Sequence, residues 1–265
     1  MSSEKENNPS NNNLQKISPP HLWRGVRGEV DINCDMGEGI GNDEFIMPFI
    51  TSANIACGYH AGDEETMKRT VDLAMKHNVL IGAHPSYSDK ENFGRTDIRL
   101  PQSEVYDLVT KQIHLLKEIT ESAGATLHHV KPHGSLYNMA ARSKQLAAVI
   151  ALAVKDADEK LKLYGLSGSH LIGEARKIGI KSVSEVFADR SYQDDGRLTP
   201  RSTPEALIND TDKAVQQVLQ MIKEGTVTTV NGKVIPIVAE TICIHGDGEH
   251  AVEIAKAIHE VLMGT

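Results

Sequence analysis

Short apolar runs that end in polar loops recur along the chain, and between them lie segments whose apolar positions repeat every three or four residues. The pattern is clearest at Asn54-Ile55-Ala56-Cys57-Gly58-Tyr59-His60-Ala61-Gly62-Asp63, where an apolar run reaches glycines, a histidine and a carboxylate before a helical pattern begins. Strands are predicted over residues 28–34, 49–57, 79–83, 126–130, 161–166, 181–187 and 241–245. Helices are predicted over 64–77, from an N-cap at Ser103, over 143–154 and 170–177, over 204–224 with Thr203 as cap and Pro204 in its first turn, and over 249–263. Asn231-Gly232 between two further alternating runs, 226–230 and 233–238, reads as a hairpin. Strands that alternate with helices predict a parallel sheet. Polar residues close nearly every strand, which favours a seven-stranded (β/α) TIM-like barrel over an open doubly wound sheet, where they would gather at one switch point.

Composition narrows the possible partners. At 265 residues the chain can bury a full core, and 40% hydrophobic with 24% charged residues is ordinary for a globular protein. The net charge of −8, without a long basic run, argues against nucleic acid or an acidic membrane as partner. Aromatics at 4% leave few platforms for stacking bases or sugars. Cys34, Cys57 and Cys243 are an odd set with no signal peptide or membrane-length apolar run, so they read as small buried thiols of a cytoplasmic protein. Residues 1–24, rich in Asn, Ser, Lys and Glu, read as a disordered tail before one catalytic domain over 25–265, with Trp23 near its start.

The loops after the strands carry the candidate chemistry. His60, His84, His133 and His245 each follow a predicted strand, and Asp35, Glu38, Asp63, Glu185, Asp189 and Asp247 supply acids. A carboxylate beside a histidine fixes its tautomer and raises its basicity, the arrangement of a general base. Asp63 reads equally well as the cap of the helix that follows it. Lys131, between a strand and Pro132, is placed to stabilise an oxyanion, bind a substrate carboxylate or form a Schiff base, with electrostatic stabilisation the favoured role. Asn33, Asn54, Glu185, Asp189, Arg190 and Arg201 are candidate substrate contacts, because arginine grips carboxylate or phosphate with two prongs. For Arg95 and Arg201 a surface ion pair is the favoured reading, whereas Arg190, beside Asp189, reads equally as either. The glycine-rich stretch around Gly37 and Gly39 follows no nucleotide-binding spacing. Asp35, His60 and His133 could form a metal triad with an open position for water, although no His-x-x-x-His or Cys-x-x-Cys spacing requires one.

At these loops the sequence resembles the LamB/YcsF family. The matching stretches are DINCDMGEG (31–39), TSANIACGYHAGD (51–63), GAHPSYSD with FGR (82–89 and 93–95), VKPHGSLYN (130–138), EVFADRSYQDDGRLTPR (185–201) and ICIHGD (242–247). Small departures at Ile32, Cys34, Tyr59 and Glu64 remove none of the polar groups above. The resemblance implies a seven-stranded barrel of the glycoside hydrolase/deacetylase type. It also implies ATP-dependent opening of 5-oxoproline (pyroglutamate) to L-glutamate, shared with 5-oxoprolinase subunits B and C. In that scheme the partners handle ATP and activate the lactam, and this chain hydrolyses the activated ring. Two other readings stand beside it: a metal-dependent deacetylase or carbohydrate hydrolase on the same barrel, and a non-catalytic component that binds a metabolite.

Overall fold

The computed structural model describes residues 30–264, so the tail expected over 1–24 and Trp23 lie outside the described residues. Seven parallel strands close into a barrel in the order β1 (Asp31–Met36), β2 (Ser52–Ala56), β3 (Leu80–His84), β4 (Leu127–Val130), β5 (Lys162–Leu166), β6 (Ser182–Phe187) and β9 (Thr241–Ile244). β1 pairs with β2 on one side and β9 on the other, which completes the ring. The helices are α1 (Asp43–Ile46), α2 (Glu64–Lys76), α3 (Gln102–Ser122), α4 (Gly134–Arg142), α5 (Lys144–Ala157), α6 (His170–Lys177), α7 (Thr211–Glu224) and α8 (Ala251–Met263). The hairpin around Asn231-Gly232 forms as β7 (Thr226–Thr228) with β8 (Val234–Pro236), antiparallel and apart from the barrel.

Most predicted boundaries move by a few residues, and two helices differ for an identifiable local reason. α3 starts at Gln102, after Pro101, so Ser103 lies inside the first turn and caps nothing. The long helix expected over 204–224 divides into a single 3-10 turn, Pro204–Ala206, and α7, capped by Asp210, whose side chain accepts from Lys213 N. Between them the backbone turns aside to pair with the segment after β6: Ser191 N donates to Ala206 O and Ile208 N to Asp189 O. Those bonds outweigh the helical propensity of the stretch. α1 and α4 were not predicted. α4 follows His133 directly and buries Leu136, Tyr137 and Ala140.

Successive side chains of a strand point to opposite faces, and the two faces of this barrel differ sharply. Outward positions such as Ile32, Ile55, Ile81, Val130 and Leu163 join the apolar core beneath the helices. α2, for example, buries Met67, Val71 and Ala74 at helical spacing against it. Many inward positions are polar: Asn33 and Asp35 on β1, Ser52 and Asn54 on β2, His129 on β4, Tyr164 on β5 and Thr241 on β9 are linked by hydrogen bonds across the lumen, and Glu185 on β6 joins them through Lys131. A TIM-like barrel is more often filled by Val, Ile and Leu. All three cysteines are buried and free, as expected.

Candidate active site

The polar lumen rises to a cavity of about 300 Å³, at the small end of ligand sites. Asp35, His84, Lys131, His133, Arg190 and His245 all line it. Lys131 forms its floor. The ammonium lies 2.9 Å from Asp35 Oδ1, 2.8 Å from Glu185 Oε1, 3.1 Å from Asn33 Oδ1 and 3.1 Å from Cys243 Sγ. Burial alone would strip its proton, but the charges of Asp35 and Glu185 outweigh burial and hold the pKa well above that of a free lysine. Burial likewise acts to raise Asp35, and the neighbouring His84 and Lys131 overcome it and hold that carboxyl well below its usual range. Asp35, Cys243 and His245 are close enough to share a metal, yet the ammonium already sits against two of them.

Beside Asp35 stands a cluster of Glu38, His60, His84 and His133, whose ligand atoms lie within 4.8 Å of one another. The tautomers of two rings are set by backbone carbonyls, which can only accept. His84 Nδ1 donates to Lys131 O (2.7 Å) and His133 Nε2 donates to Phe93 O (2.9 Å). In the neutral rings His84 Nε2 and His133 Nδ1 therefore present lone pairs to each other at 2.9 Å. Such a contact requires a shared cation, either a proton or a metal ion. Glu38 Oε1 completes the group at 3.1 Å from His60 Nε2 and 3.4 Å from His133 Nδ1. Burial, then the charge of Asp35, holds Glu38 well above the usual carboxylate range. Burial pushes His60 down to about 2 and His133 well below its ordinary value, so neither ring readily takes the proton itself. His60 and His133 stack at 3.7 Å, and Phe93 packs edge-on against both. The carboxylate grouped with His60 and His133 is thus Glu38, with His84 added. Asp35, the acid of the expected triad, is engaged by Lys131 and Asn54 through Oδ1 and reaches the cluster at His84, 3.3 Å from its Oδ2, rather than at His60 or His133.

Across the cavity His245 donates from Nδ1 to Asp189 at 3.0 Å, and its backbone N–H donates to the same carboxylate at 2.8 Å. That fixes the ring with Nε2 on the side away from Asp189, the arrangement of an oriented acid–base histidine. Burial acts to raise Asp189, and His245 outweighs it and lowers the carboxyl. Arg190 is buried and donates to Ala206 O (3.2 Å) and Thr199 O (2.7 Å). Among the described residues no carboxylate forms an ion pair with it, and burial together with Arg201 lowers its pKa to about 10.

The remaining expected residues lie elsewhere. Asp63 is exposed and caps α2, accepting from Thr66 N at 2.8 Å, so it takes the helix-cap alternative and does not reach the cluster. Asn33, Asn54 and Glu185 are wholly buried beneath Asp35 and Lys131, where they bond those groups and do not line the cavity. Asp247 lies toward the rim, 2.7 Å from Arg95 and 3.7 Å from Arg201, the ion pairing foreseen for both arginines. Three contributors were not predicted: Tyr137, which donates to Glu185 (2.7 Å), the Phe93 carbonyl, and His129, which bonds Asn54 (2.8 Å). Only His129 carried a usable signal. It stands two residues before Lys131 and so faces the same side of the strand.

A curated relative in Brevibacillus brevis, named as the A component of 5-oxoprolinase, is 52% identical over 240 residues, covering 89% of this chain and 94% of the relative. One of the same name in Staphylococcus aureus is 49% identical over 239 residues, covering 88% and 96%. The crystal structure of the lactam utilization protein from Thermus thermophilus superposes with a TM-score of 0.83 at 41% identity, covering 89% of this chain and 96% of that one. Residues 30–265 match the model of the LamB/YcsF family, and the chain belongs to that family.

Proposed function

We propose that this chain is the ring-opening component of a 5-oxoprolinase, a hydrolase that converts the cyclic amide 5-oxoproline to L-glutamate, and that partner subunits B and C handle ATP and activate the lactam. It would act in the cytoplasm; no helix among the described residues is long and apolar enough to cross a membrane. The observation that carries the reading is Arg190. A buried guanidinium without a carboxylate partner faces the cavity that also receives His84, His133, Lys131 and His245, and 5-oxoproline brings the carboxylate it lacks.

Hydrolysis adds water to the ring carbonyl, breaks its C–N bond and delivers a proton to the departing nitrogen. Lys131, held charged by Asp35 and Glu185, stabilises negative charge that develops on the carbonyl oxygen. His245, oriented by Asp189, exchanges the proton through Nε2. Glu38, His60, His84 and His133 fit a divalent metal ion, because their donor set includes two imidazole lone pairs that already converge. Such an ion, when bound, supplies acidified water or polarises the carbonyl. That cluster also favours the deacetylase as second reading.

The test is glutamate release from 5-oxoproline and ATP, with this chain added to or withheld from subunits B and C. Release only when all are present is expected; none with active partners refutes the assignment. Metal content of the purified chain, and loss of activity on chelation, decide whether the cluster holds an ion. Turnover of acetylated sugars in place of 5-oxoproline would support the second reading.

A further inference from the structure

The lowest part of the site is built around a residue that no substrate can touch. His129 on β4 is wholly buried, stacks on Tyr164 at 4.2 Å, and lies over Gly82 on β3. A Cβ at Gly82 would come within 2.1 Å of His129 Nε2, so the imidazole fills the space the glycine leaves. Burial holds His129 well below the ordinary histidine pKa, so the ring is neutral. His129 Nε2 meets Asn54 Oδ1 at 2.8 Å, and Asn54 Nδ2 in turn donates to Asn33 Oδ1 (2.8 Å) and Asp35 Oδ1 (2.9 Å).

These bonds leave one workable orientation of the Asn54 amide. Both of its N–H groups are used on oxygens, and its own oxygen needs a donor, which His129 Nε2–H provides. Rotated by half a turn, the amide would set its oxygen against the Asp35 carboxylate and the Asn33 carbonyl. Three buried oxygens would then converge around the single Lys131 ammonium, and His129 Nε2–H would lose its acceptor. Asp35 Oδ1 and Asn33 Oδ1 are also the acceptors that hold Lys131 Nζ.

We propose that His129 is a positioning residue for the reaction: acting through Asn54, it sets the direction of the Asp35 carboxylate and so the place of the Lys131 ammonium at the cavity floor. The inference rests on the ring-opening function proposed above.

The test uses the full chain reconstituted with subunits B and C and compares three variants. His129→Phe keeps the ring and the stack on Tyr164 but has no N–H. His129→Gln places an amide donor near the position of Nε2, and His129→Asn carries a donor too short to reach. For Phe and Asn, kcat should fall about tenfold or more with KM within about twofold, as is typical for groups that orient an active-site residue, while Gln recovers most of the rate. In parallel, hydrogen exchange of the Asn54 side-chain amide, followed by NMR in the isolated chain, should be slow in the wild type and with Gln, and faster with Phe. Wild-type kcat in folded His129→Phe, or a Gln variant as impaired as Phe, would overturn the inference. If the wild-type complex releases no glutamate, the functional reading fails by itself, and unchanged Asn54 exchange across the series would still refute the positioning role.

Discussion

Lys131 is an internal cation whose charge is maintained by the two carboxylates around it, and at the scale of single residues the site is a set of such enforced states. Asp35 stays ionised because Lys131 and His84 flank it, His84 and His133 hold fixed tautomers because backbone carbonyls accept from their far nitrogens, and Asp189 fixes His245. Asp63 stands outside this set although it follows the same motif as His60. Its work is local, since an aspartate at a helix N-cap accepts from the free N–H groups of the first turn. Asparagine caps almost as well as aspartate. Asp63→Asn is therefore expected to leave both glutamate release by the complex and the melting temperature close to wild type. A collapse of turnover with an unchanged melting temperature would return Asp63 to the catalytic group.

At the scale of elements, the loop between β3 and α3 is the lid of the histidine cluster, and its glycine is indispensable for steric reasons. Gly94 adopts a φ of +65°, and a Cβ there would lie 2.3 Å from Ser86 Oγ and 2.9 Å from both His133 Cδ2 and His60 Cβ. The preceding Phe93 also has a positive φ, 56°, rare for a bulky side chain, and this turn aims its carbonyl at His133 Nε2. Gly94→Ala should destabilise the protein by about 1–3 kcal/mol, the usual cost of overpacking, and should impair turnover because the displaced atoms belong to His60 and His133. Denaturant unfolding together with the glutamate assay checks both effects. Wild-type stability in the variant would show that the loop is not pressed against the cluster.

At the scale of the molecule, a barrel with a titratable interior has a pH-dependent stability whose sign follows from the shifts. His60, His129 and His133 are all depressed by burial, His60 to about 2. The unfolded chain takes up protons on these histidines below about pH 6.5 while the folded chain does not, so their contribution is present above that pH and drains away as pH falls. Lys131 is shifted the other way; its contribution is full below about pH 10.4 and is lost only as pH rises toward its elevated folded value. Urea melts should show the highest stability at about pH 7 to 8, a clear loss at about pH 5, and a decline above about pH 8.5, where Cys34, Cys57 and Cys243, pushed up by burial, ionise in the unfolded chain but not in the folded one. A stability that does not change between pH 7 and 5 would mean that the three rings are not held neutral.

The alternation of seven barrel strands with helices, the separate hairpin and the gathering of polar residues at strand ends followed from the sequence alone, because apolar period and glycine position are local properties of the chain. The residue types of the site were legible for the same reason: histidines, lysine and acids stand next to strand ends, where a parallel barrel must gather them. What each of them touches was decided only in three dimensions. Glu38 replaces Asp35 beside His60 and His133 because the glycine turn after β1 carries it over the cluster. Asn33, Asn54 and Glu185 become supports because the inward face of each strand has a depth that no one-dimensional pattern records. The helix expected over 204–224 breaks because its first residues bond the backbone after β6, a partner nearly twenty residues away whose carbonyls and amides win over local propensity. Spacing along a chain specifies direction and face; the closure of the ring specifies depth and neighbour.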